Sequence, residues 1–409
     1  MVKVLMFGWE FPPFNSGGLG VACEGLARSL AQEGVSLIFV LPRKFDYQPT
    51  NYRLIFADED KGSSIKVKAV NSLLTPYVTS ASYSLLLRNN RRHLIHYSSD
   101  LMAEVARYAQ EAGRIAAEEE FDVIHAHDWL SFPAGLEAKR VSGKPLIVHV
   151  HATEFDRTGG NNCNTQVFAI EQAAFEEADA IIAVSQFTKN KVIQHYGIPS
   201  EKIKVVHNAI EPRDYNVSVS SLQHLKQGGK KVVLFVGRIT LQKGPDVFLR
   251  AARRVVDFEP NALFIIAGSG DMEAQVIREA AALGLADKVL FAGFLRGEEL
   301  RQLYKLADLY VLPSVSEPFG ITTLEALASG TPVIISKQSG VAEVIDHCLK
   351  VDFWDVNEMA SKIVAVLRYS ELQEGLKENG SREVKKFSWR DAARKCLEVY
   401  HRLLAPLPL

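Results

Sequence analysis

The chain has 409 residues, 47% of them hydrophobic and 23% charged, and a net charge of −1 at pH 7. Its length points to two domains rather than one, and its charge balance gives no general attraction to nucleic acid or to an anionic membrane surface. Gly8 and Glu10 interrupt the apolar start before a signal peptide could form, and no stretch approaches membrane-spanning length. Cys23, Cys163, Cys348 and Cys396 are scattered without paired spacing, which fits a reducing cytoplasm and no disulfide framework.

Apolar strands alternate with amphipathic helices along the chain, the pattern of an α/β protein with parallel sheets. Strands are expected at 2–7, 35–41, 122–126, 145–150, 180–184 and 203–206, with a candidate edge strand at 65–70. Helices are expected at 21–33 and 97–119. The stretch 212–229 turns polar and loses its pattern, so it reads as a linker between domains 1–211 and 230–387. A second series follows, with strands at 231–236, 263–267, 289–292, 309–312 and 332–335. Helices at 244–256, 272–283, 298–306 and 357–367 separate or follow them, and a last helix with a strong apolar face covers 389–404. Two doubly wound, Rossmann-like domains result, and ligands of such folds sit at the carboxyl ends of the strands, here in a cleft between the domains.

Several motifs fall at those strand ends. Ser16-Gly17-Gly18-Leu19-Gly20 lies between the first strand and the first helix, where glycine lets backbone approach a phosphate, or simply turns the chain. His125, His127 and Asp128 follow one strand, and His149 and His151 end the next. These five are metal-ligand types, but alternation puts His149 and His151 on one face, and His125 also reads as a satisfied core histidine. Arg238 ends the first strand of the second series and Lys243 starts the next helix. Cations avoid helix N-termini unless an anion sits between them, so the pair reads as an anion site or as two solvated charges. Gly268-Ser269-Gly270-Asp271 is a second Gly-rich turn, by itself a weak nucleotide signal. Asp58-Glu59-Asp60 is a charge run best read as a solvated loop.

The densest stretch runs from Tyr310 to Ser336, read as strand, turn, short helix, turn and strand. Pro318 and Gly320 punctuate the turn, the helix starts near Ile321, and Gly330 with Pro332 ends it. Backbone N–H groups between Gly320 and Thr323 and the helix dipole form a cradle for phosphate. Glu317 and Glu325 flank that cradle, and carboxylates take vicinal diols well, having two oxygens and about four lone-pair sites. The plainer reading of Glu317 is a helix-capping acid; Glu325, between Leu324 and Ala326, does not fit a solvated position.

Glu317-Pro318-Phe319-Gly320 followed by Glu325 resembles the signature of retaining nucleotide-sugar glycosyltransferases of the GT-B fold, a likeness that spans nearly the whole chain. The resemblance implies that Arg238 and Lys243 bind the donor diphosphate with the backbone of Phe319, Gly320, Ile321 and Thr322, and that the loop at Gly17 and Gly18 sits over that diphosphate or the acceptor. It implies that Glu317 holds the sugar, Glu325 the ribose, and that His151 lies near the reacting carbon with Asp128 on the acceptor side. Gly268 and the loop at Phe294-Leu295 would line the nucleotide, and the last helix would cross back to the first domain. Trp9-Glu10-Phe11-Pro12-Pro13 looks like the loop of the glycogen-synthase-like branch, although Asn15 stands where starch and glycogen synthases usually carry lysine.

The activity so implied is retaining transfer of a hexose, with glucose as the lead, from UDP-, ADP- or GDP-hexose to an α-glucan. No permanent cofactor and no metal is expected. A small sugar, a sugar phosphate or a lipid-linked glycan is the alternative acceptor; Arg88 to His93 is the one short basic-apolar stretch toward a lipid, and peripheral membrane contact is not expected. From other classes stand a metal hydrolase built on His125, His127, Asp128, His149 and His151, a sugar-nucleotide binding protein without turnover, and an epimerase.

Overall fold

The computed structural model describes residues 1–11, 17–42, 65–69, 100–160, 163–215 and 217–405. Asn15, the run Asp58-Glu59-Asp60 and the stretch 88–93 lie outside them. The strands in chain order are β1 (Lys3–Phe7), β2 (Ser36–Leu41), β3 (Ile65–Ala69), β4 (Val123–His127), β5 (Leu146–Val150), β6 (Ala180–Ala183) and β7 (Ile203–Val205). The series continues with β8 (Lys231–Val236), β9 (Ala262–Ala267), β10 (Val289–Gly293), β11 (Leu309–Leu312), β12 (Val333–Ser336) and β13 (Leu349–Val351).

These strands form two sheets, in the orders β3-β2-β1-β4-β5-β6-β7 and β10-β9-β8-β11-β12-β13. Each pairing is parallel. Strands buried on both faces read as unbroken apolar runs, which is why Val4 to Phe7 and Val232 to Phe235 are wholly buried. In both sheets the order reverses beside the first strand of its series, between β1 and β4 and between β8 and β11. Ligands of doubly wound sheets collect at the carboxyl ends of the strands at this switch point.

The chain divides into two compact units: Met1–Glu154 with Cys163–Asn208 and Trp389–Leu409, and Phe155–Asn162 with Ala209–Ser388. In the first, the helix Trp389–Leu404 packs on the helix Gly18–Gln32. Gly25 makes that contact close: a Cβ there would stand 2.4 Å from the Trp389 ring. In the second, the stretch expected to be a linker holds two 3-10 segments, Pro212–Tyr215 and Ser220–Gly229, and Lys226 pairs with Asp308 at 2.7 Å. Loss of apolar periodicity there goes with short 3-10 turns docked by single side chains. β13 has no counterpart among the expected strands, since it is three residues long with a lysine in the middle.

Candidate functional site

In the second unit, four loops meet at the carboxyl ends of the strands. The loop after β8 carries Arg238 and Lys243, and its backbone is bonded to the loop after β9 (Ile239 N–H to Ser269, Met272 N–H to Ile239). Gly268 touches the Gly237 carbonyl so closely that a Cβ would come within 1.9 Å of its oxygen. Gly244, at φ +66° before Pro245, likewise leaves room for the Pro313 carbonyl. Gln242 joins the loops: its backbone carbonyl accepts the Val315 N–H and its side-chain oxygen accepts Arg238 Nη2 at 2.9 Å. Arg238 is thus held by a neutral, buried amide.

The loop after β11 carries Glu317, only 4% exposed. Its Oε2 accepts Lys243 Nζ at 2.5 Å and the Ser314 hydroxyl at 3.2 Å. Two backbone bonds, Glu317 N–H to Gln338 and Gly340 N–H to Glu317, tie this loop to the one after β12. Ser316 donates to Asp156 at 2.6 Å, in the short excursion 155–162 that belongs to this unit. Gly320, at φ +107°, then turns the chain into the helix Ile321–Ala328. A residue with a Cβ is strained there, so glycine sets the turn that aims this helix.

The helix is buried on nearly every side, not along one face. It ends in a Schellman motif, with Thr331 N–H to Ala326 and Gly330 N–H to Leu327, Gly330 taking φ +77°. Phe319 and Ile321 are buried, whereas Thr322 is partly exposed and its hydroxyl accepts from Tyr310. The Thr323 hydroxyl, in the first turn, is buried without a hydrogen-bond partner among the described residues. Glu325 is enclosed: Tyr215 donates to its Oε1 at 2.9 Å and Tyr304 to its Oε2 at 2.8 Å. Burial pushes its carboxyl above the ordinary range, and the two hydroxyls with the Arg301 charge oppose that push. Beyond β10, Phe294 is exposed and Leu295 half-buried.

The first unit builds a different surface from the same strand ends. His127 and His149 are register partners on β4 and β5. His125, His127, His149 and His151 stack at centroid separations of 4.4–5.3 Å. His127 Nδ1 meets His151 Nε2 at 2.9 Å, His125 Nε2 meets His149 Nδ1 at 3.2 Å, and His125 Nδ1 meets the Tyr400 hydroxyl at 2.7 Å. Burial is the first cause that lowers all four, to about 3 for His125 and His151. They therefore stay neutral at physiological pH.

Ligand atoms of His125, His127 and His149 lie within 4.8 Å of one another, as do those of Cys23, His127 and His151. The first trio is nearly coplanar in ring orientation, with interplanar angles of 10–29°. Lone pairs of stacked imidazoles run side by side, whereas a bound ion needs them to converge at about 2 Å. In the second trio, burial raises the Cys23 thiol well above its ordinary range, so an ion there would first have to displace its proton. The donor set therefore fits a metal badly.

Asp128, at φ +59°, is the one described non-glycine residue in the left-handed region. Its Oδ1 accepts the backbone N–H groups of His151 and Ala152 at 2.7 and 3.2 Å. The structure thus uses Asp128 to brace the loop carrying His151, a role that sequence reading alone does not reveal. Gly17 precedes the first helix and Gly18 opens it, and the Gly20 N–H is taken by the buried Glu10 carboxylate at 3.0 Å. Tyr215, Tyr304 and Gln242 were also outside the sequence reading. The only hint was their polarity at otherwise apolar or turn positions.

Residues 16–214 match the model of Glycosyltransferase Family 4, and residues 219–383 that of Glycosyl transferases group 1. The chain is 31% identical to an uncharacterized glycosyltransferase of Methanocaldococcus jannaschii, over 98% of either chain. It is 26% identical to a glycogen synthase of Mycobacterium tuberculosis, over 84% of this chain and 80% of that one. It superposes on the Anabaena HepE crystal structure in complex with UDP-glucose with a TM-score of 0.72, at 20% identity, over 98% of this chain and 100% of that one. The chain belongs to the group 1, family 4 glycosyltransferases, with the GT-B fold. That is a family of retaining hexosyltransferases that draw on nucleoside-diphosphate sugars. Among the described residues no helix is long and apolar enough to cross a membrane.

Proposed function

We propose that the loops after β8 and β11 bind the diphosphate and hexose of a nucleoside-diphosphate sugar, and that the chain passes the hexose to an α-glucan. The observation that carries this reading is the contact of Lys243 with Glu317 at the switch point of the second sheet, on the loops after β8 and β11, with Arg238 on the same loop as Lys243. Charge develops on the departing diphosphate in the transition state, so donors fixed beforehand act most strongly there. Arg238 supplies a planar fork and Lys243 a point charge. Free N–H groups at the start of the helix Ile321–Ala328 add their dipole, with the backbone of Gly320, Ile321 and Thr322 nearest. Gly268 and the loop at Phe294-Leu295 line the nucleotide.

Glu317 receives sugar hydroxyls through Oε1, since both its contacts fall on Oε2. Glu325 receives the ribose diol. His151 is neutral, so it can lie beside the reacting carbon without repelling the positive charge that builds there. Asp128 serves the acceptor side through the loop it braces. The leaving phosphate takes the acceptor proton on the same face, which retains configuration and leaves no general base to assign. With fixed cations and a helix N-terminus doing the electrostatic work, no divalent ion is required; activity should survive EDTA.

The α-glucan acceptor is supported by the likeness to a glycogen synthase and by the Trp9-Glu10-Phe11 loop. The test is a panel of UDP-, ADP- and GDP-hexoses with an oligoglucan, a sugar phosphate or no acceptor, reading nucleotide release and product length. Lengthened oligoglucan is the expected result. Release only with the sugar phosphate would move the acceptor to that class, and binding without release from any donor would leave a non-catalytic receptor.

A further inference from the structure

We propose that Tyr215 and Tyr304 are positioning residues for the nucleotide's ribose, because their hydroxyls hold the Glu325 carboxylate in the one orientation that presents both its oxygens to a vicinal diol. The proposal rests on the reading of Glu325 given above and deepens it. The two tyrosines come from separate elements: Tyr304 from the helix Gly297–Leu306 and Tyr215 from the 3-10 turn Pro212–Tyr215. Each donates to a different oxygen, at 2.8 Å to Oε2 and 2.9 Å to Oε1. A carboxylate has about four lone-pair sites. One donor on each oxygen fixes the plane of the group and leaves one site on each oxygen, enough for two adjacent hydroxyls.

The clamp also favours the charged form of the group. Burial alone drives the Glu325 carboxyl toward its neutral form, which would accept a diol poorly, and the two hydroxyls counter that drive. The frame around it is stiff. The Tyr304 ring stands edge-on to the Tyr310 ring at 5.8 Å, and Tyr310 donates to Thr322 on the same helix as Glu325. Three tyrosines thus grip two positions, one turn apart, on the helix Ile321–Ala328. Phenylalanine at 215 or 304 would fill the same space, so the hydroxyls can be removed with little change in packing.

The experiment uses the full chain with Tyr215→Phe, Tyr304→Phe and Glu325→Gln. Calorimetric titration measures whichever of UDP, ADP and GDP the wild type binds tightest, and the 2′,3′-dideoxy form of that diphosphate. Wild type should favour the ribose form, and Glu325→Gln should abolish the preference. Each tyrosine variant should weaken the ribose form roughly tenfold, as expected for a hydrogen bond to a charged group, and leave the dideoxy form unchanged. Equal weakening of both forms would mean a merely structural bond, and no weakening of either would mean an idle one; both overturn the clamp. Persistence of the preference in Glu325→Gln would instead sink the ribose reading itself. Thermal unfolding checks each variant; should Tyr304→Phe fail to fold, the partly exposed Tyr215 decides alone.

Discussion

At the carboxyl edge of the first sheet, four neutral histidines stack against one another and against Tyr400. At the corresponding edge of the second, ions and glycines meet: Lys243 on Glu317, Arg238 on Gln242, Gly268 on a carbonyl. The winding is the same, with the same reversal beside the first strand of the series. The contrast teaches that this architecture supplies only the place. Uncharged donors and acceptors suit a hexose and its acceptor, and fixed charge suits a diphosphate. If the contrast is real, perturbations of the second edge should act through charge and those of the first through protonation.

The largest effect is expected at the ion pair. Lys243→Ala leaves Glu317 buried and uncompensated, so the second unit should lose about 3–5 kcal/mol in denaturant unfolding. Adding Glu317→Gln should recover much of that loss and none of the activity. A double variant as unstable as the single one would mean that Lys243 contributes packing rather than charge, and would weaken the comparison at its base.

Arg238→Ala should cut kcat/KM by a factor on the order of a hundred or more. Its bond to Gln242 is to a neutral amide, and loss of that bond should lower stability by only about 1 kcal/mol. Steady-state kinetics beside thermal unfolding separates the two. Near-normal turnover in a folded Arg238→Ala chain removes the diphosphate role.

The histidine edge gives a smaller but diagnostic effect. Unfolded histidines take up protons near pH 6.5, whereas His125 and His151 in the folded chain do so only near 3. Between those values the unfolded state binds more protons, so stability is fully present above about 6.5 and is lost as pH falls. Each such histidine adds up to about 1.4 kcal/mol per pH unit to that slope. Unfolding of the first unit should therefore drop steeply from pH 7 to pH 5 while that of the second drops less. His125→Gln, which keeps a polar partner for Tyr400, should flatten the slope. Identical pH slopes for the two units would erase the distinction between the edges.

How much of this was legible follows from sequence distance. Strands of four or more apolar residues declared themselves, and Arg238, Lys243, Glu317 and Gly320 stood out because each sits directly beyond such a strand or opens the next helix. Alternation placed His149 and His151 on one face, and their rings do stack, at 4.4 Å. Pairings were invisible: Lys243 and Glu317 are 74 positions apart, Tyr215 and Glu325 are 110. No local pattern encodes such a partner. Tyr215 is hidden further by its polar neighbours Arg213 and Asp214. The bracing bonds of Asp128 are equally invisible, since nothing local marks a carboxylate that accepts the His151 and Ala152 N–H groups 23 and 24 positions on.

The smallest expected effect tests the comparison from outside both edges. Glu33, at the end of the helix Gly18–Gln32, accepts from Arg390 at 2.5 Å and from Arg394 at 3.1 Å on the last helix. Those guanidinium contacts hold the Glu33 carboxyl below its ordinary range, so the pairing favours the folded state above the unfolded carboxylate's pKa and fades as pH falls through it. Both arginines are more than half exposed, at 65% and 52%, and water screens such pairs. Glu33→Gln should therefore cost the first unit little, an effect that shrinks further in high salt, and leave turnover unchanged. The helix contact itself rests on Gly25 against Trp389, where a Cβ would stand 2.4 Å from the ring, so Gly25→Ala should cost more than loss of the ion pairs. Should Glu33→Gln instead destabilise more than Gly25→Ala, surface charge rather than close packing would be holding the last helix to the first unit.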